Sequence, residues 1–426
     1  MRNLSEPRDA SRSLRRNNCA LGSLPFRALR QRHHDRHLYP PHKLCYKPNI
    51  EPTKPLPATR TPASFPAAAH QQQDAVFASA FALLRQAIAD HAFPAASIAI
   101  THHGLLVALK AFGRFTYESE SPETTTATIF DLASVTKVVA TTSMAMILYQ
   151  RGLLDLDLPV VAVVAEFAGD DPRRDAVTLR MLLAHSSGLP AYEKLFLHAK
   201  TRDELISAAF ATPLAADPGA VAAYSDIGFI ILGVALERIA EESLNRCCQH
   251  EVFGPLAMTH TAFSPPSAWK ASIPPTANDQ TFRRRIIQGE VQDENASVMG
   301  GVAGHAGLFA TAGDLAIFAH AMLAGGQPIL RPETLALFTR REPSPAGTSR
   351  ALGWDTPSSP SQSGKYFSAA SFGHLGYTGT SLWIDPERQL SVTLLTNRTW
   401  PDCSNQAIKQ LRPKLHDAVI ESLGGA

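Results

Sequence analysis

Apolar residues recur at helical spacing from Asp74 to His91 ("DAVFASAFALLRQAIADH"), which predicts a helix with Asp74 in the N-cap position. Two strand-like runs follow, "AASIAITHH" from Ala95 and "LLVALKAFG" from Leu105, with His103 and Gly104 as a tight hairpin turn between them. A polar, threonine-rich loop over residues 115–128 leads into "DLASVTKVVATTSMAMILYQ", Asp131 to Gln150, whose apolar character predicts the start of a buried helix. Helical periodicity continues to about residue 340. "TLRMLLAHSSGLP" reads as a short helix from Thr178 stopped by Gly188 and Pro190, and "DIGFIILGVALERIAEE" as a long apolar-faced helix. Thr201 with Glu204, and Thr311 with Asp314, mark two capped helix starts, and Pro332 sits in a first-turn position. β character returns at "ALGWDT", residues 351–356, and in "TGTSLWIDPERQLSVTLLTNRT", where two β-rich runs flank a turn from Asp385 to Gln389. An amphipathic stretch over residues 404–423 predicts a last helix.

Strand signals at both ends of this region and helices between them predict an α/β (α+β) fold. One antiparallel sheet, built from residues of about 74–128 and 345–426, is flanked by the terminal helices. Residues of about 129–344 form a large all-helical insertion packed on one side, and a ligand site is expected where the two parts meet. Residues 1–73 differ in kind. They are rich in Arg, His and Pro ("SLRRNN", "RQRHHDRHLYPPHK") and carry too little apolar surface to offset chain entropy, so they are expected to be a disordered arm ahead of one domain, 74–426.

The whole chain has 426 residues, 45% of them hydrophobic and 18% charged, enough for a sizeable core. A formal net charge of +2 gives no reason to expect nucleic acid as a partner. Cys19, Cys45, Cys247, Cys248 and Cys403 have neither the spacing of a disulfide framework nor that of a metal site. No apolar run is long enough to span a membrane. "RRNNCALGSLPFRAL" has a basic start, but Pro25 and Arg27 break its apolar part, so it is not read as a signal peptide. The default expectation is a cytoplasmic protein. The next methionine is Met144, so a downstream start would require a non-Met codon.

Against that background, Ser134 and Lys137 stand out at the mouth of an apolar helix. Residues three apart share a face, so the hydroxyl and the amine can meet. A serine hydroxyl becomes a nucleophile when a base takes its proton, and a lysine becomes that base when burial lowers its pKa. The helix N-terminus favours negative charge on the reacting oxygen. The alternative for this pair is a serine at a helix start and a snorkelling lysine. A second copy of the spacing, Ser267 to Lys270, lacks the apolar helix behind it. Two further segments carry chemistry. "AYSDIGF" puts Tyr224 and Asp226 just before a long helix, where the phenol can act as a phenolate or relay a proton and the alternative is a core tyrosine followed by a cap. "FGHLGYTGTSLWIDPE" puts His374, Gly376 and Gly379 ahead of a β-run whose backbone could face an extended substrate.

The three segments, "SVTK", "YSD" and "HLG" in this order, resemble the SxxK, YxN and K/H-x-G motifs of the serine β-lactamase and penicillin-binding protein superfamily. The similarity is to the branch of class C β-lactamases, D-Ala-D-Ala carboxypeptidases and related esterases. "LLAHSSGLP" and "GGVAGHAGLFATAGDLAIF" add to the resemblance, which covers about residues 75–424. It implies a β-lactamase/transpeptidase-like fold and a serine hydrolase working through an acyl-enzyme, with no cofactor or metal, on an ester, a D-amino-acid amide or peptide, or a β-lactam. It implies Ser134 as nucleophile, Lys137 as base, Tyr224 as proton-transfer partner, and the N–H groups of Ser134 and Tyr377 as oxyanion hole. Asp226, His374 and Gly376 would contact substrate. Two residues depart from the pattern. Asp226 stands where the family has asparagine; its carboxylate only accepts hydrogen bonds and favours a charged Lys137. His374 stands where lysine is common and offers a weaker, pH-dependent positive charge, which turns the expectation toward esterase or peptidase chemistry. His185 and His305 read as structural, and Asp293 with Glu294 as a polar loop or a site-lining one. The competing reading is a non-catalytic binding or regulatory protein on the same scaffold. The absence of a GxSxG elbow argues against an α/β-hydrolase.

Overall fold

The structure, a computed structural model, describes residues 67–424, so the expected disorder of residues 1–66 lies outside the described residues. The strands of its main sheet are β1 Ala67–Ala68, β2 Ala95–His102, β3 Leu105–Gly113, β4 Phe372–Leu375, β5 Ser381–Asp385 and β6 Leu390–Thr396. They form one six-stranded sheet in the order β1-β3-β2-β6-β5-β4, antiparallel except where β1 runs beside β3. Strands from the early and late parts of the described residues therefore meet at the middle of the sheet, where Ile100 of β2 pairs with Val392 of β6.

Side chains alternate across a strand, and that period of two decides what each face packs against. Ile98, Ile100, Val392 and Leu394 face a core with Phe81 and Leu84 of the Ala78–Ala89 helix and Leu411, Leu415 and Val419 of the last helix, Ile408–Ser422. Ser97, Ala99, Thr101, Ser391 and Thr393 face the other way. Their small size lets the Ala312–Leu323 helix pack on that side of β2 and β6. The Thr101 and Ser391 hydroxyls bond each other there at 2.6 Å, so these buried polar groups are not left unpaired. The mostly helical part lies on this second side. It is not all-helical as expected: Phe130–Asp131, Leu308–Ala310 and Ala262–Phe263 pair as a small antiparallel sheet, and Ala277–Asp279 pairs with Arg285–Ile287. These strands are too short to leave a period-two signal.

Three expectations need correction here. Order already exists at Ala67. The Ala69 N–H bonds to the Leu106 carbonyl at 2.9 Å, and the Gln73 side chain accepts the Leu109 N–H at 2.9 Å. Edge pairing by two alanines leaves no periodic signal. Asp74 is not an N-cap but lies in the four-residue helical turn Gln73–Val76, where it pairs with Lys110. "ALGWDT" is no strand. Gly353 has φ +86° and turns the chain, and only isolated bridges remain, one of them Asp355 to Gly373. "HLG" does precede a β-run, as expected, and it also ends a strand of its own: His374 and Leu375 belong to edge strand β4, and Gly376–Thr380 turn into β5. Among the described residues no helix is long and apolar enough to cross a membrane.

Candidate active site

The segment from Ala133 to Gln150 is helical throughout, but it does not open as an α-helix. It begins as a 3₁₀ turn, Ala133–Val135, continues as a π-helical stretch, Lys137–Thr142, and becomes α-helical at Ser143. Ser134 lies in the 3₁₀ turn and Lys137 opens the π-helical stretch, and three residues apart on one helical segment the two side chains share a face. The turn is held from outside. Asp131 is buried and accepts the Ala133 N–H at 2.8 Å and the Gln292 N–H at 2.6 Å. Burial pushes the Asp131 carboxyl up to about 6. Ala133 itself has φ +46°, a left-handed conformation that costs energy for a residue with a Cβ and sits directly before Ser134.

Lys137 is fully buried, its Nζ 5.0 Å from the centre of the Tyr224 ring and 5.5 Å from that of Phe229. Its Nζ lies 3.1 Å from Ser134 Oγ, 2.6 Å from Asp226 Oδ1 and 2.9 Å from the His305 carbonyl oxygen. Burial lowers its pKa and the Asp226 carboxylate opposes that, with burial the larger effect. Tyr224 donates from its hydroxyl toward Ser134 Oγ at 2.7 Å and lies 3.0 Å from Asp226 Oδ1. Burial and the Asp226 carboxylate hold this phenol well above its ordinary pKa, so it remains protonated, which favours proton relay over a phenolate base. The hydroxyl, the amine, the phenol and the carboxylate thus form one cluster, although they come from positions up to 92 residues apart in the sequence.

Each partner has a local reason for its place. Ser225 caps the Asp226–Ala240 helix by accepting the Gly228 N–H, which fixes Asp226 as its first residue, at the positive end of the helix dipole. Tyr224 is steadied by His185, whose ring lies 4.8 Å from the phenol ring and whose Nδ1 accepts the Ser225 N–H. The His305 carbonyl reaches Lys137 because Gly304 packs on the same helix. A Cβ on Gly304 would fall 2.1 Å from the Phe229 carbonyl oxygen, so only glycine lets that backbone approach. His305 Nε2 meets Asp293 Oδ1 at 2.9 Å, tying in the loop that carries Asp293 and Glu294.

Opposite this cluster, the β4–β5 turn is fastened to the nucleophile segment. Thr378 and Thr380 donate to the Asp131 and Leu132 carbonyls, each at 2.8 Å. Buried Arg412, from the last helix, bonds the Gly376 and Thr380 carbonyls. A Cβ on Gly376 would lie 2.5 Å from the Leu132 carbonyl oxygen. Tyr377 follows, half-exposed, with Arg398 stacked on its ring at 4.5 Å.

A sequence profile for the family described as Beta-lactamase matches residues 80–412. The chain belongs to the beta-lactamase family. It is a hydrolase of the serine β-lactamase and penicillin-binding protein superfamily. A protein of Escherichia coli (strain K12), provisionally named a D-alanyl-D-alanine carboxypeptidase, is 31% identical over 72% of this chain and 79% of its own length. An N-acetylmuramyl-L-alanine amidase of Bacillus subtilis (strain 168) is 32% identical over 72% of this chain and 77% of its own. Among solved structures, EstCE1, a hydrolase with promiscuous acyltransferase activity, superposes with a TM-score of 0.67 at 22% identity, over 82% of this chain and 99% of that one. The last likeness is one of fold.

Within this beta-lactamase family fold, His374 differs from its expected character. It is buried, its Nδ1 bonds the Leu375 carbonyl oxygen at 2.8 Å, and burial with nearby Lys137 and Arg350 lowers its pKa well below the ordinary value. It is neutral and offers no positive charge near neutral pH. Arg350, which the sequence reading did not single out, is one of the cations near it: its guanidinium carbon lies 5.6 Å from the centre of the Tyr224 ring.

The Asp226 contact predicts a pH effect. If catalysis needs neutral Lys137, activity rises as pH passes the lysine pKa, which Asp226 raises. Asp226→Asn is expected to move that rising limb of kcat/KM to lower pH. A limb that stays in place would mean Asp226 does not set the protonation of Lys137.

Proposed function

We propose that this protein cleaves an amide or ester bond of a short, peptide-like substrate through an acyl-enzyme on Ser134. Neutral Lys137 takes the Ser134 proton as Oγ attacks the carbonyl carbon, and the N–H groups of Ser134 and Tyr377 receive the developing oxyanion. Tyr224, protonated and already aimed at Ser134 Oγ, passes its proton to the leaving group and is reprotonated by Lys137 with the proton taken from Ser134, which leaves the lysine neutral again. The phenol and Lys137 then activate the water that frees the acyl group. The observation that carries this reading is the approach of both the Tyr224 hydroxyl, at 2.7 Å, and Lys137 Nζ, at 3.1 Å, to one serine oxygen.

Among substrates, a D-amino-acid peptide or amide is favoured over a β-lactam. One relative is provisionally named for carboxypeptidase action on D-alanyl-D-alanine, and another for cleaving an amide of L-alanine, so both names point to amide bonds. Turnover of a D-Ala-D-Ala peptide, a short p-nitrophenyl ester and a chromogenic cephalosporin should be compared on wild type beside Ser134→Ala. The peptide is expected to be cleaved with the highest kcat/KM and the cephalosporin with the lowest. A dominant cephalosporinase activity would overturn the substrate assignment.

A further inference from the structure

The turn between β4 and β5 carries Tyr377, whose N–H bonds no atom among the described residues. That N–H shares one planar peptide group with the Gly376 carbonyl, and in a trans peptide the two point in opposite directions. Whatever fixes the carbonyl therefore aims the donor. The Gly376 oxygen accepts the Gly379 N–H at 3.1 Å inside the turn and Arg412 Nη2 at 2.9 Å. The same Nη2 donates at 2.8 Å to the Thr380 oxygen, which the Gly376 N–H also meets at 2.8 Å. One guanidinium thus holds both ends of the turn.

Arg412 does this at an unusual place for a charge. It is only 4% exposed, and among the described residues no ion pair compensates it. The charged group that acts on it is Arg398, a second cation, and its Nε has no hydrogen-bond partner. A buried cation without a counter-charge is costly, and neutral donors could satisfy the same two carbonyls. What a neutral donor does not supply is positive potential directed through one peptide group at an anion forming beyond it.

We infer that Arg412 is a positioning residue for the oxyanion hole: it fixes and polarises the Gly376–Tyr377 peptide, so that the Tyr377 N–H meets the charge developing on the substrate oxygen. That charge is absent from the ground state, so the guanidinium gains a counter-charge only as the transition state forms. Arg398 steadies the next peptide, its Nε 2.7 Å from the Tyr377 carbonyl oxygen. This inference rests on the proposed acyl-enzyme reading.

The test joins stopped-flow acylation by an activated p-nitrophenyl ester to isotope-edited infrared spectra of the acyl-enzyme carbonyl. It compares wild type with Arg412→Gln, Arg412→Met and Arg412→Lys. Both neutral variants are expected to lower the maximal acylation rate about 10²-fold while the half-saturating ester concentration moves less than about threefold. The acyl carbonyl, polarised in wild type through the Tyr377 N–H, should absorb at higher wavenumber in both. Arg412→Lys should recover most of the rate and of the frequency. The spectrum reads only protein that has folded and acylated, and either neutral variant suffices if the other does not fold. An unshifted carbonyl in a folded neutral variant would overturn the inference, as would an acylation rate within about threefold of wild type. So would a folded Arg412→Lys protein that behaves like the neutral variants, or the failure of both neutral variants to fold, which would make the arginine a requirement of the fold. A wild-type protein that forms no acyl-enzyme on Ser134 would instead bring down the acyl-enzyme reading itself.

Discussion

Replacing Lys137 by alanine is expected to lower the rate of Ser134 acylation by about three orders of magnitude or more, the upper range for loss of a positioned base. Lys137 is the only amine within bonding distance of Ser134 Oγ among the described residues, and its burial lowers its pKa toward the basic form. Neither neighbour can replace it. Tyr224 is held protonated, and the Asp226 carboxylate contacts the lysine and the phenol rather than the serine. The fold should survive, because Asp226 is partly exposed and can hydrate once its buried partner is gone. Stopped-flow acylation with an activated ester, read beside a thermal melt, checks both halves. Near-normal acylation in a folded Lys137→Ala protein would refute the base role.

Tyr224→Phe is expected to cost about 10²- to 10³-fold in kcat, with a smaller change in KM. The substitution removes one hydroxyl and keeps the ring, so contacts with His185, Lys137 and Arg350 persist and stability should change little. What is lost is the proton path from Ser134 to the leaving group. The loss should be larger for an amide, whose amine leaving group must be protonated, than for a p-nitrophenyl ester, whose leaving group departs as an anion. The pH at which activity rises should remain close to wild type, because Lys137 remains. A uniform loss on amide and ester would point to a positioning role for the phenol instead.

Much of this site was legible in the sequence because its parts lie at element starts. "SVTK" announces itself by a polar pair inside an apolar run, and "YSD" by the cap ahead of the Asp226–Ala240 helix. Strands β2 and β3 and their turn were readable from periodicity alone, since a two-residue hairpin is a local feature. What sequence could not reveal depends on long-range approach. The 3₁₀ start at Ala133 comes from Asp131 and from the threonines of the β4–β5 turn, more than 240 residues away. His374 reads as a titratable cation until its burial is known. Arg350 matches no motif at all; only the bridge from Asp355 to Gly373 brings it to the site. The His305 carbonyl was equally hidden, because it is a backbone atom placed by the glycine before it.

The most direct measurement is the site of covalent labelling. Wild-type protein treated with a fluorophosphonate, digested and analysed by mass spectrometry should carry one adduct on Ser134, and Ser134→Ala should carry none. The labelling rate should climb with pH and fall sharply in Lys137→Ala. An adduct on any other residue, or a Ser134→Ala protein that labels as fast as wild type, would contradict the account.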